Sequence, residues 1–337
     1  QTVTMLPVDE NGTPLRNAII WMDGRSEKQL QYIIDQIGFD RYVSIIGGQP
    51  DTGFLPNKIL WFKENEPELF SKTYKILQAS SYINYKLTGK MTMDIDQAGK
   101  SQCLDISTLQ WSDEISRVIG ADLNQLLPKP QAITDIIGTV SEEAAAITGL
   151  VSGIPVVAGA SDAIASMYAI GLSRIGDAGE SSGTSSLVFA GSMAKTSPEL
   201  PLVAKPCTIG EIPYIFDAPI SASGASLKWY LDTLGQTEKD YAQANNINVF
   251  EYLNQLALQA APGSNGLIFF PYLCGERAPL WNSYAKGMFI GLSKATSRED
   301  LIRAIFEGTA FALRHVIETI TNAGGKATSL RITGGGA

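Results

Sequence analysis

Asp162 stands among small residues in Gly159-Ala-Ser-Asp-Ala163, and the turn Gly183-Thr184-Ser185 follows in the same stretch of chain, leading into the apolar run Ser186-Leu-Val-Phe189. A carboxylate within hydrogen-bond reach of a hydroxyl can take its proton. A glycine turn carrying hydroxyl and N–H donors can cradle phosphate oxygens. Together these are the parts of a phosphoryl transfer, in which the enzyme mainly positions and neutralises a departing charged group. Each part also has a plainer use: an Asp ahead of a helix is commonly an N-cap, and Gly-Thr-Ser is commonly just a turn. The small neighbours of Asp162 would let a substrate approach closely, but they leave the cap and the base both open.

The remaining residues narrow the chemistry. Cys103, Cys207 and Cys274 are widely spaced, odd in number and without a Cys-x-x-Cys pattern, so neither a disulfide framework nor a zinc site is expected, and a reducing cytoplasm is. His315 is the single histidine, which excludes a multi-histidine metal site and leaves acid–base work to carboxylates. The net charge of −8 argues against a nucleic-acid partner. It leaves a phosphate site untouched, since backbone N–H groups grip phosphates locally. Ile154 to Leu172 has the length of a membrane span, but it contains Asp162 and two glycines and reads as a buried strand followed by a helix.

The elements that would hold these residues alternate between strand and helix, the pattern of an α/β layer architecture. Residues 18–21 read as a short buried strand, 25–37 as a helix stopped by Gly38, 56–66 as a helix with Ile59, Leu60 and Phe62 inward, and 80–87 as a helix ended by Gly89. Beyond Gly171 the style changes: 180–190 and 214–220 read as sheet, and 224–232 and 250–259 as helices. Ser297 and Asp300 form a capping box for a long helix from Arg298, terminated by Gly324-Gly325. The domain boundary is placed at Leu172, giving 1–172 and 173–337. With 45% hydrophobic and 18% charged residues, both are expected to be globular.

Further segments stand in a characteristic order: Trp21-Met-Asp-Gly-Arg25, Leu87-Thr-Gly89 ahead of Asp94 and Asp96, Gly275-Glu-Arg-Ala-Pro-Leu-Trp281, Lys286-Gly-Met-Phe-Ile-Gly-Leu292, Arg303-Ala-Ile-Phe-Glu-Gly308 and Gly334-Gly-Gly-Ala337. In that order they resemble the FGGY family of carbohydrate kinases over the whole chain, nearest its xylulokinase and gluconokinase-like branch. The resemblance implies a two-domain actin-like, ribonuclease H-like ATPase fold with the active site in the interdomain cleft. It implies ATP with Mg2+, Asp162 as base, and transfer to a terminal hydroxyl of a ketopentose such as xylulose. Gluconate or another sugar acid or polyol is the alternative acceptor, and a non-catalytic sugar- or nucleotide-binding protein is the competing class. By the same resemblance Gln1, Trp21 and Asp23 contact the sugar, while Gly183, Thr184, Ser185, Gly224 and Lys228 serve the nucleotide. Gly334, Gly335 and Gly336 would pack beneath adenosine. Plainer readings stand beside these: Trp21 as core, Lys228 as a solvated helix lysine, and the glycine triplet as a linker. Glu276 and Arg277 are read as an ion pair ordering a loop.

The resemblance also has gaps. The family's Asp-x-Gly-Thr, which holds magnesium and the leaving phosphates, occurs nowhere, so the metal ligands are unknown. Thr2-Val3 stand where xylulokinases typically have Met-His, which leaves the sugar open. The expectation is therefore the middle of a longer cytoplasmic enzyme, active when extended at both ends, with a homodimer among the assemblies it allows and with no membrane or nucleic-acid partner.

Overall fold

The computed structural model describes residues 3–193 and 202–336, so Gln1 lies outside the described residues. The chain forms two compact units, one of residues 1–175 and 191–215 and the other of 176–190 and 216–337. The first division thus falls between Ile175 and Gly176. Nothing in the sequence pattern foretells the return of 191–215 to the first unit.

In the first unit, strand β1 (Leu6–Val8) pairs antiparallel with β2 (Lys75–Leu77), Leu6 opposite Leu77 and Val8 opposite Lys75. Helix α1 (Glu27–Ile37) buries Ile33, and Gly38, at φ 86°, ends it. Helix α2 (Leu55–Asn65) carries Pro56 in its first turn, where its missing N–H costs nothing, and buries Leu55, Ile59 and Phe62. Each such side chain, fully buried, contributes about 1.5–3 kcal/mol. Two further elements set the site: the short helix α3 (Ile95–Lys100), capped by Asp94, and helix α4 (Asp162–Ala169). The expected buried strand at 18–21 is not formed. Ile19 alone makes a β-bridge, to Met5, and is buried, whereas Ile20 and Trp21 are exposed, so the apolar run is one anchor followed by a surface loop.

In the second unit, β3 (Gly176–Ser182) and β4 (Ser186–Ser192) make an antiparallel hairpin in which Ser182 faces Ser186 and Ala178 faces Ala190. Strand β5 (Ile212–Ile220) lies on the far side of β4, and β6 (Ala327–Thr333) runs parallel to β3, so that β5-β4-β3-β6 follow one another in a five-stranded sheet whose edge beside β5 is the strand Val203–Ile209. Helices α5 (Gly224–Thr233), α6 (Val249–Ala257) and α7 (Arg298–Asn322) build the core of this unit, where Tyr230, Leu253, Phe269, Ile302 and Ile305 are buried together. The capping box of α7 forms as expected: Ser297 Oγ accepts the Asp300 N–H at 3.1 Å and Asp300 Oδ2 accepts the Ser297 N–H at 2.9 Å. Gly308 lets α7 lie against the Phe269 carbonyl, with which a Cβ would collide. Among the described residues, no helix is long and apolar enough to cross a membrane.

Candidate active site

Asp162 is the first residue of α4 and is exposed, while the cap position belongs to the buried Ser161. The N-cap explanation for Asp162 therefore fails. Asp162 Oδ1 accepts the Ala163 N–H at 2.9 Å. Ser161 itself makes no side-chain cap, because its hydroxyl accepts a hydrogen bond from Lys100 Nζ. The Ser161 N–H donates to Asp96 Oδ2 at 2.9 Å, and Lys100 pairs with Asp96 at 3.0 Å. Asp94, six residues before Lys100, caps α3 by accepting the Gln97 N–H at 2.8 Å. Burial, reinforced by the charge of Asp96, pushes the Asp94 carboxyl up to about 7.

A second group of the first unit gathers around the 20–25 loop. Asp23 takes the Arg25 guanidinium on both oxygens, at 2.8 and 2.7 Å, and Arg25 sits 4.8 Å above the Trp61 ring. The hydrogen bond from Arg25 holds the Asp23 carboxyl below the usual carboxylate range, so it is ionised. Trp21 is 52% exposed. Beneath the loop Lys58, wholly buried, donates to the Ile20 carbonyl at 2.8 Å and to the Gly53 carbonyl. Desolvation lowers its ammonium to about 8. A Cβ on Gly53 would stand 2.7 Å from the Trp21 carbonyl, so the 51–53 turn needs glycine to pack against the loop.

In the second unit the Gly183-Thr184-Ser185 turn joins β3 to β4 and is exposed. It closes on itself through Gly183 N–H to the Ser185 carbonyl at 3.0 Å. Its carbonyls also receive the first N–H groups of α5: Gly224 to Gly183 at 2.9 Å, and Ser223 and Ala225 to Thr184 at 3.1 and 2.9 Å. These helix donors are satisfied by the turn, so an anion must be met by the turn's own donors. Gly224 is required by this docking, since its Cβ would lie 2.6 Å from the Gly183 carbonyl. Strand β6, parallel to β3, delivers Gly334-Gly335-Gly336 to the same end of the sheet, where the Gly336 N–H donates to the Ser182 carbonyl at 3.2 Å.

The three glycines differ. Gly334, at φ 100°, would drive a Cβ into the Ser182 carbonyl, and Gly336 would drive one into the Ser182 side chain, whereas Gly335 has open space. A cavity of about 200 Å³ lies between α7 and the chain at Ser182, Gly224 and Gly336; Gly183, Thr184, Ser185, Gly334 and Gly335 are not among its lining residues. Its lining combines polar groups of Ser182, Ser223, Gly224 and Gly336 with the apolar side chains of Leu227, Phe306 and Leu313. Glu180 lines it too, with Oε1 accepting the Ser186 hydroxyl at 2.6 Å.

Two sequence readings change. Lys228 does not line the cavity; it pairs with Asp232 at 3.0 Å with its side chain 68% exposed, the solvated-helix arrangement. Glu276 and Arg277 form no ion pair. Glu276 Oε1 accepts the Ser221 and Arg277 backbone N–H groups at 2.7 and 2.8 Å, while the Arg277 residue is exposed. A buried carboxylate next to two well-aligned N–H donors is better served by them than by a flexible, solvated guanidinium. The loop is still ordered by Glu276, though through backbone.

Several residues escape sequence reading: Lys58, Lys100, Glu180, Ser182 and the α7 residues at the cavity. Phe306, Thr309, Ala310 and Leu313 share one helical face, a signal that also fits core packing.

Residues 1–169 match the N-terminal domain model, and residues 180–337 the C-terminal domain model, of the FGGY family of carbohydrate kinases. The chain is 33% identical over 314 residues to the xylulose kinase of Lactococcus lactis, covering 93% of this chain and 60% of that protein. It is 30% identical over 348 residues to the gluconokinase of Bacillus licheniformis, covering 98% and 64%. The structure resembles a ligand-bound xylulose kinase from Lactobacillus acidophilus with a TM-score of 0.85 at 25% identity, over 99% of this chain and 66% of that one. The chain thus spans 60–64% of the length of these two curated relatives. With both domain models matched in order, and with a two-unit mixed α/β fold shared with solved sugar kinases, this chain belongs to the FGGY family of carbohydrate kinases.

Proposed function

We propose that the protein is an ATP-dependent carbohydrate kinase acting on a terminal hydroxyl of a ketopentose such as xylulose, in the cytoplasm. The observation that carries the reading is the cavity of the second unit, lined by both polar and apolar groups, as a nucleotide requires. In this reading residues 1–172 serve the sugar and 173–337 the nucleotide. Thr184 and Ser185 donate hydroxyl and N–H groups to phosphate oxygens, Gly183 and Gly335 let the nucleotide approach, and Gly224, Gly334 and Gly336 hold those turns in place. Trp21 offers the sugar an apolar wall, and Asp23 accepts from its hydroxyls where Arg25 leaves lone pairs.

Asp162 takes the proton of the acceptor hydroxyl as its oxygen bonds the γ-phosphorus and the bridging β–γ P–O bond breaks, releasing ADP. Magnesium supplies neutralisation of phosphate charge. Among the described residues no group of three His, Cys, Asp or Glu side chains can hold a metal alone, but a phosphate-bound magnesium needs only one or two carboxylates. Glu180 is the carboxylate lining the cavity and would hold it or its waters.

Gluconate is the second reading, favoured by the gluconokinase likeness at 30% identity. ADP release measured with xylulose, ribulose, gluconate, glycerol and no acceptor tests both. The proposal expects acceptor-dependent release highest with a ketopentose. A gluconate preference would exchange the two readings, and no acceptor dependence would overturn both.

A further inference from the structure

Asp96 and Lys100 are almost fully buried, at 1% and 6% exposed, in a unit whose other buried charges stabilise loops and caps. Taking both charges out of water is costly, and excellent geometry with added hydrogen bonds is needed to offset it. The added bonds all converge on Ser161. Its N–H goes to Asp96 Oδ2 at 2.9 Å, its hydroxyl accepts from Lys100, and Lys100 Nζ closes the triangle on Asp96 at 3.0 Å. Ser161 would ordinarily turn its hydroxyl inward to cap α4, yet here that capping bond is forgone and the hydroxyl is given to Lys100. The residue directly before Asp162 is therefore gripped on both its backbone and its side chain by one ion pair on α3. Among the described residues the Asp162 side chain makes only the bond to the Ala163 N–H, and it is exposed. Its direction is thus inherited from Ser161.

We propose that Asp96 and Lys100 are a positioning pair for Asp162, fixing through Ser161 the direction from which its carboxylate meets the acceptor hydroxyl. The proposal rests on the reading of Asp162 as the base, and it deepens that reading. Misplacing a catalytic group by about 1 Å costs on the order of 100-fold in rate. The groups facing the pair also include Asp94, whose charge acts on the same buried cluster.

The test compares Ser161→Ala with the double variant Asp96→Asn/Lys100→Met, which removes both charges together and leaves neither unpaired. Each is made alone and in an Asp162→Asn background. Turnover is expected to fall about 10-fold or more in both, with the KM for sugar changed less than about twofold and with no further loss in the Asp162→Asn background. Losses that add to that of Asp162→Asn overturn the proposal, because the pair would then act elsewhere. Hydrogen exchange at the Ser161 and Ala165 N–H groups, the latter bonded to the Ser161 carbonyl at 2.9 Å, reads the grip without turnover. It is expected to quicken about 10-fold or more in the double variant. Unchanged exchange overturns the grip even if Asp162 proves to be the base. Normal turnover of Asp162→Asn alone would sink the base assignment and leave the exchange result to judge the clamp.

Discussion

Asp94→Asn changes one buried oxygen and removes one titration. Asp94 is 2% exposed and caps α3, and Asn caps a helix about as well as Asp. The folded carboxyl titrates at about 7 instead of 3.8, chiefly because burial disfavours its charge. The native state therefore holds a proton that the unfolded chain has lost between those two values. Stability falls as pH rises through that window, because there the unfolded state binds fewer protons. At about 1.4 kcal/mol per pH unit the gap amounts to ~4 kcal/mol over the whole titration, more than half of it between pH 5 and pH 9. Urea unfolding of both proteins at pH 5, 7 and 9 measures this directly. The variant should gain on the parent steadily from pH 5 to pH 7 and then level off. A difference that stays constant with pH would refute the reasoning, because burial would not then be raising this carboxyl.

Three other outcomes follow from the same geometry. Lys58→Met should leave the Gly53 carbonyl unsatisfied at about 1–3 kcal/mol, while the Ile20 carbonyl keeps the Asp23 N–H at 3.1 Å, and weaken sugar binding through the 20–25 loop, as unfolding and calorimetry would record. Its ammonium, lowered to about 8, loses its proton in the fold above that pH while the unfolded chain still holds the proton up to about 10.5. The parent should therefore gain stability between pH 8 and 10.5, relative to the variant. Gly335→Val should weaken ADP binding with little change in unfolding midpoint, since its Cβ meets only open space, whereas Gly334→Ala should lose about 1–3 kcal/mol of stability from a forced positive φ and a backbone collision. Unchanged ADP affinity in Gly335→Val would make that turn structural only.

The sequence discloses elements governed by local rules. Gly38 and Gly89 end their helices, the Ser297–Asp300 box starts the long one, and Ala79–Thr88 and Glu27–Ile37 follow their apolar spacing to within two residues. It misleads where burial is decided by distant contacts: Ala18 to Trp21 is as apolar as a strand, yet only Ile19 finds a partner. Asp162 and the 183–185 turn are legible as small-residue motifs. Lys58 and Lys100 are not, because a lysine in a helix looks solvated, and Asp96 with Lys100 looks like an ordinary i,i+4 surface pair, until the fold brings the Ile20 carbonyl to the one and Ser161 to the other. The three terminal glycines look equivalent in sequence, and only their distances to Ser182 separate the two that packing demands from the one that leaves space for a ligand.

The central claim is that Asp162 accepts the proton in an acceptor-dependent phosphoryl transfer. Its most direct test is the turnover of Asp162→Asn in the protein expressed from its whole gene, measured as ADP release at saturating ATP and sugar, with sugar affinity taken by calorimetry. The account predicts a fall in kcat of about 100-fold or more, with sugar affinity within about threefold of the parent. Near-normal turnover in that variant would contradict it and remove Asp162 from the chemistry.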